Sequence, residues 1–188
     1  MPSKFGYPQI EERVSKITGY MGSNQQREFM FNLARCSMVA AEVGTWKGLS
    51  AAIVGLGMAD HGGLYYCIDN YKSTNAELVK HENTLEEFLT MRKNLHLERV
   101  LLPVVGWSTE VCDQVPNDLD FVYIDGDHEP QSVYMDSKLY VPKLRPYGLA
   151  LYHDHPWESV RAGIKMAVDE GLIKRVNVID DFGIFIKA

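Results

Sequence analysis

Four acids and three histidines of this 188-residue chain stand where apolar runs stop. Glu42 lies at the end of the run that starts at Val39, and Asp69 ends Leu64–Ile68. Asp125 ends the run DFVYID, and Asp154 follows Leu149–His153. His128 lies just beyond Asp125, while His153 and His155 flank Asp154. Carboxylates and imidazoles placed together do two kinds of chemistry. An imidazole with an ordinary pKa of about 6.5 can take a proton near neutral pH. Carboxylates, with or without imidazole, can hold a divalent cation.

A second signal is the stretch VAAEVGTWKGLS, Val39 to Ser50. It reads as a strand, a tight glycine turn and a helix start. Such a turn offers backbone N–H groups and a helix N-terminus to a ligand. Asp69 then ends the next strand, where an acid can accept both hydroxyls of a ribose. Together they point to a nucleoside-type cofactor. The dinucleotide pattern GxGxxG needs a glycine where Trp46 stands, so the spacing here is ExGxxxG instead.

The elements that must carry these residues alternate. Strands are expected at Met38–Val43, Leu64–Asp69, Val100–Val105, Asp120–Asp125 and Leu149–His153. Two short β runs, Val176–Asp180 and Gly183–Lys187, are joined so tightly that they must form an antiparallel hairpin. Helical patterns occupy 9–17, 23–35, Leu49–Ala59, Leu85–Leu95, Gln131–Leu144 and Glu158–Glu170. Continuous apolar strands suit a sheet covered on both faces. The expected fold is therefore α/β: a Rossmann-like, doubly wound, mostly parallel seven-stranded sheet with a C-terminal antiparallel hairpin. Ligands of such a sheet gather at the strand C-terminal edge, near the topological switch. Residues 1–35 read as an N-terminal helical extension, either a cap over the site or a cover for a sheet edge. Residues 36–188 read as the main domain. The polar stretch Lys72–Glu87 crosses the same edge as a lid or a solvated loop.

Bulk properties narrow the class. The formal net charge of −6, with basic residues scattered, disfavours a nucleic-acid partner. No apolar run approaches the roughly 20 residues of a membrane helix, and the N-terminal sequence lacks a signal-peptide core. Three cysteines, Cys36, Cys67 and Cys112, have no metal-site spacing and read as reduced residues in a cytoplasmic protein.

In these motifs the chain resembles the class I S-adenosylmethionine-dependent methyltransferases over residues 35 to 188. It is most similar to a small O-methyltransferase-like group with a strand ending in Ile-Asp-Gly-Asp-His. The motifs that carry the resemblance are EVGTWKGLS, IDNY, the stretch from LDFVYIDGDH to LYHDH, and the terminal hairpin. The resemblance implies S-adenosyl-L-methionine as cofactor, held by Glu42, Gly44, Thr45, Gly48, Ser50, Asp69, Asn70, Trp107, Ser108 and Asp125. Glu42 would orient the turn, take the cofactor's ammonium through water, or only cap the following helix. Many relatives have an acid where Trp107 stands, able to bond the adenine amino group; Trp107 would instead stack on the base or serve as a packing contact. Asp125, Asp154 and His155 are implied as ligands of a divalent metal, Mg²⁺ or Mn²⁺. An imidazole in that set suits a transition metal better than oxygen-seeking Mg²⁺. His128, with Asp125, is the candidate catalytic pair, His128 as general base or further ligand. Asp136 is read as a surface or loop-anchoring residue.

The implied reaction is O-methylation of a small hydroxylated molecule, with metal assistance. The alternatives are a non-catalytic cofactor-binding or regulatory module on the same fold and, outside this class, an NAD-linked reductase. A homodimer through Trp157 and exposed strand ends is the expected assembly. Neither nucleic acid nor membrane is expected as a partner.

Overall fold

The structure is a computed structural model that describes residues 6–17, 19, 21–72 and 83–188. Ten residues of the expected lid, 73–82, lie outside the described residues. Two helices open the described chain, α1 (Tyr7–Val14) and α2 (Asn24–Ala34). There follow β1 (Val39–Val43), α3 (Leu49–Met58), β2 (Leu64–Asp69), α4 (Thr84–Asn94), β3 (Leu101–Val105) and a short α5 (Ser108–Val111). The chain continues through β4 (Leu119–Ile124), α6 (Pro130–Tyr140), β5 (Leu144–Tyr152) and α7 (Glu158–Asp169), then the hairpin β6 (Ile173–Ile179) and β7 (Phe182–Lys187).

The strands form a seven-stranded sheet of order β3-β2-β1-β4-β5-β7-β6. β1 to β5 pair in parallel, and β7 runs antiparallel to both β5 and β6. Both faces are covered, which is why the strands read as unbroken apolar runs. In β4 the alternation is plain: Phe121 and Tyr123 enter one core with Phe31, Ile53 and Tyr65, while Val122 and Ile124 enter the other with Ile164 and Tyr152. α2 belongs to the first core: Phe31 and Ala34 pack so closely on α3 that a Cβ on Gly57 would meet both within 3.5 Å.

The parallel order reverses between β1 and β4. There the strand ends diverge toward opposite crossovers and leave a crevice. Gly44 closes the bottom of it. Its φ is +92°, and an added Cβ would lie 2.0 Å from the carbonyl oxygen of Asp125. Gly48 begins α3 at φ +88°, with Phe88 and Met91 against it.

Element boundaries differ from expectation where polar residues enter a strand or a helix stops early. α6 ends at Tyr140, and one 3-10 turn over Val141–Lys143 leads into β5, which starts at Leu144 rather than Leu149. Pro142 has no N–H to continue the helix. Arg145-Pro-Tyr147 then makes an irregularity in the pairing with β4, with Tyr147 left-handed at φ 64°. β6 begins at Ile173, not Val176, because an edge strand tolerates exposed Lys174 and Arg175. α5 was not expected at all.

Gly44→Ala should lower stability in urea unfolding by at least about 2–4 kcal/mol, since it forces both a left-handed alanine and a backbone clash. A wild-type midpoint in that variant would show that β1 and β4 do not approach as described.

Candidate active site

A cavity of about 660 Å³ opens over the C-terminal ends of β1 to β4. Of the residues expected to hold a cofactor, Gly44, Asp69, Asn70, Trp107, Ser108 and Asp125 line it. Asp69 is held stiffly: the N–H of Trp46 donates to Oδ2 at 2.7 Å and that of Tyr71 to Oδ1 at 2.6 Å. Trp46 and Tyr71 are both left-handed, at φ 47° and 52°, so the chain folds around the carboxylate. Each oxygen of a carboxylate can accept two hydrogen bonds, so Asp69 can still receive a pair of vicinal hydroxyls.

Glu42, Thr45, Gly48 and Ser50, expected at the same site, do not line this cavity. Glu42 is fully buried behind the glycine turn, accepting from the Ser50 hydroxyl at 2.8 Å and the Tyr65 hydroxyl at 3.1 Å. It pins the turn from beneath. Burial pushes its carboxyl up to about 8, against the hydrogen bonds of Ser50, Thr45 and Tyr65.

On the other side of the switch point, an acid–imidazole cluster occupies the edge. Asp125, His128 and Asp154 each offer a ligand atom within 4.8 Å of the others. His128 Nε2 lies 2.8 Å from Asp154 Oδ2, close but without the alignment of a hydrogen bond. The His128 ring stacks on Trp157, with centroids 4.8 Å apart. The Tyr123 hydroxyl donates to Asp125 Oδ2 at 2.9 Å. Asp154 is left-handed at φ 49°, which turns its side chain back toward the cluster and sends the chain away.

That turn explains why His155 is not brought into the cluster. Its N–H donates to the Asp181 carbonyl at 2.9 Å, and its ring packs against Gly183 and near Phe185 on β7. Of the two histidines that flank Asp154, the one that meets the carboxylates is His153. Its Nδ1 is 3.1 Å from Asp125 Oδ1 and 3.1 Å from Asp154 Oδ2. Burial alone would lower its pKa, but Asp125, then Asp154 and Asp181, outweigh burial and push it up to about 9. Asp127 contributes elsewhere: it accepts from Ser132 at 2.8 Å and from the Glu129 N–H, at the start of α6.

Of the two roles read for Asp136, the structure agrees with loop anchoring and not with a surface position: the residue is buried and lines the cavity. Ser108 donates to its Oδ1 at 2.6 Å, and burial pushes its carboxyl up to about 6. The signal was present: Val133, Asp136, Ser137 and Tyr140 follow helical spacing and form the buried face of α6.

A family model described as a methyltransferase domain matches residues 41–155, more than half of the chain. This chain belongs to that family. The matched span runs from β1 to the end of the acid–imidazole cluster. The enzyme is a methyltransferase, on the class I fold that its motifs resemble. Solved structures share the fold. An O-methyltransferase from Bacillus cereus in complex with SAH is 12% identical at a TM-score of 0.72, covering 100% of this chain and 93% of that one. An SAH-bound methyltransferase of Podospora anserina is 12% identical at a TM-score of 0.74, covering 100% and 89%. An O-methyltransferase of Streptomyces achromogenes, involved in tomaymycin synthesis and solved with SAM, is 13% identical at a TM-score of 0.67, covering 99% and 90%. No curated protein matches the chain by sequence.

Glu42 gives the methyltransferase a signature in its pH dependence. Its folded pKa of about 8 lies above the ordinary 4.5, so the folded state holds a proton that the unfolded state releases between those values. Its contribution to stability is therefore lost as pH rises through that window. Urea unfolding of wild type and Glu42→Gln should diverge from about pH 5 to about pH 8, the wild type losing stability relative to the variant by a few kcal/mol. Parallel profiles would mean that Glu42 is already ionised in the fold.

Proposed function

We propose that this methyltransferase transfers the methyl group of S-adenosylmethionine to a hydroxyl of a small molecule, with the Asp125–His128–Asp154 edge activating that hydroxyl. One observation carries the reading: a single cavity joins a ribose-type acid, Asp69, to the carboxylate and imidazole of Asp125 and His128. When bound, S-adenosylmethionine supplies a methyl group on a sulfonium, open to in-line displacement. The chain must then align the acceptor and remove its proton. A hydroxyl with an ordinary pKa of about 10 is largely protonated at pH 7 and needs this help. His128 lines the cavity and its ring stacks on Trp157, so its imidazole is the group beside the cavity that could take the proton.

Asp125, Asp154 and His128 also fit a divalent cation. Two carboxylates and one imidazole have their donor atoms within 4.8 Å of one another. The close, misaligned approach of His128 Nε2 to Asp154 Oδ2 is that of two ligand atoms facing a common point rather than a donor facing an acceptor. A cation there would lower the pKa of a bound hydroxyl. The mixed donor set favours Mn²⁺ or another transition metal over Mg²⁺.

The position of His153 favours a second, metal-free reading. Its Nδ1 lies between Asp125 and Asp154 and can neutralise both from within the protein. The two readings separate on one comparison, turnover with and without a chelator.

The size of the cavity, about 660 Å³, falls in the range of small-molecule sites and supports a small acceptor. The neighbour involved in tomaymycin synthesis supports the same class. The free state of Cys36, Cys67 and Cys112 accords with a cytoplasmic enzyme. Among the described residues no helix is long and apolar enough to cross a membrane.

Isothermal titration with S-adenosylhomocysteine should give a micromolar complex that Asp69→Ala weakens roughly 10- to 100-fold, the worth of hydrogen bonds to a charged group. No binding by the wild type would sink the cofactor assignment. On a panel of phenols and other hydroxylated metabolites, His128→Ala should lower kcat about 10²- to 10⁴-fold with little change in S-adenosylhomocysteine affinity. EDTA should abolish turnover and Mn²⁺ restore it; full activity in chelator would establish the metal-free reading.

A further inference from the structure

Asp136 is a buried acid that the proton and cation chemistry at the catalytic edge does not use. It is 4% exposed, yet it forms part of the cavity wall. One oxygen, Oδ1, accepts from the Ser108 hydroxyl at 2.6 Å. The other lies over Gly126, where an added Cβ would stand 3.5 Å from Oδ2. Gly126 lines the same cavity, so this oxygen is presented to whatever fills it. A carboxylate has about four lone-pair positions, and Ser108 uses one. Burying the rest is unfavourable unless a donor arrives.

The surroundings select the donor. Trp107, which precedes Ser108, and Met135, which precedes Asp136, line the cavity, and both offer apolar, polarisable surface to a flat ring. An indole N–H only donates, so Trp107 can stack on such a ring but cannot accept from an amino group on it. The next residue, Ser108, brings Asp136 to the same loop through its hydrogen bond.

We propose that Asp136 Oδ2 reads the exocyclic amino group of the cofactor's adenine. The inference rests on the S-adenosylmethionine reading above. It makes Asp136 a specificity residue. A 6-amino group donates to the carboxylate, whereas a 6-oxo group sets one acceptor against another.

The test is isothermal titration of the intact chain with S-adenosylhomocysteine and with S-inosylhomocysteine, near pH 8, where a carboxyl titrating at about 6 is ionised. The wild type should prefer the adenosyl ligand roughly 10- to 100-fold. In Asp136→Asn the amide oxygen keeps the Ser108 bond and the NH₂ faces the cavity. The preference should then vanish or invert toward the inosyl ligand. Circular dichroism checks that the variant folds; if it does not, Asp136→Ser replaces it, with affinities expected within about threefold of each other. The ratio of the two ligands is insensitive to a general loss of affinity. Equal affinities in the wild type, or a wild-type ratio in the folded variant, would overturn the assignment to Asp136 and leave the cofactor reading intact. Failure of the wild type to bind either ligand would overturn both.

Discussion

The functional edge depends on how closely β1 and β4 end beside each other. Gly44 and Asp125 meet across the switch point with no room for a side chain, the added Cβ falling 2.0 Å from the Asp125 carbonyl oxygen. The Asp125 N–H donates to Val43, and the Gly44 N–H donates to Ile68 on the opposite neighbour. Three strand ends are thereby locked in register. On one side the chain turns through Trp46 toward Asp69. On the other it turns through Gly126 toward His128. The Asp69 carboxylate and the acid–imidazole cluster thus face one cavity, with Gly44 between them.

Around that junction the protein handles buried charge in three ways. Glu42 is surrounded by hydroxyls, and burial outweighs their hydrogen bonds and favours the neutral carboxyl. It acts as a hydrogen-bonding post under the glycine turn. Asp136 is relieved by one serine and by an opening onto the cavity, and its carboxyl titrates nearer its usual range. His153 faces Asp125, Asp154 and Asp181, and this negative surround outweighs its burial. The first residue stabilises shape, the second offers an acceptor, and the third balances charge at the reactive edge. Their sequence contexts look alike in one respect: each follows an apolar or aromatic residue, Ala41, Met135 or Tyr152.

That likeness explains what could and could not be read from the chain. Strand ends were legible because apolar runs stop at charged residues, so Asp69, Asp125 and Asp154 could be placed on one edge. The glycine spacing located the turn. It could not reveal which side of the turn each residue serves, and Glu42, Thr45 and Ser50 proved to lie behind it. The direction of a side chain after a strand depends on a single φ angle. At Asp154 that angle is left-handed, and His155, expected among the ligands, is turned away from the carboxylates that His153 meets. No periodicity encodes such a turn. For Asp136 the helical spacing was present, but its charge argued for the surface. Burial of an acid is decided by a partner such as Ser108, 28 positions away in the chain.

The same distance argument gives the N-terminal helices a part in the site. Ser23 caps α2, and Gln26 returns the bond by accepting from the Ser23 N–H at 2.6 Å. The Gln26 amide is fully buried and donates to the Ile179 carbonyl at 3.0 Å and to Asp181. Ser23 donates to Asp180. The two aspartates form the tight connection between β6 and β7, with Asp180 left-handed at φ 52°. Asp181 in turn faces His153 at 3.7 Å, and its carbonyl receives His155. A helix start far from the cavity therefore holds the hairpin turn, and the hairpin turn sets the charge behind Asp125 and Asp154. A buried amide bonded at both ends resists sliding more than apolar packing does, because any shift leaves a polar group unpaired. The N-terminal segment is in this way built into the support of the reactive edge as well as into the core.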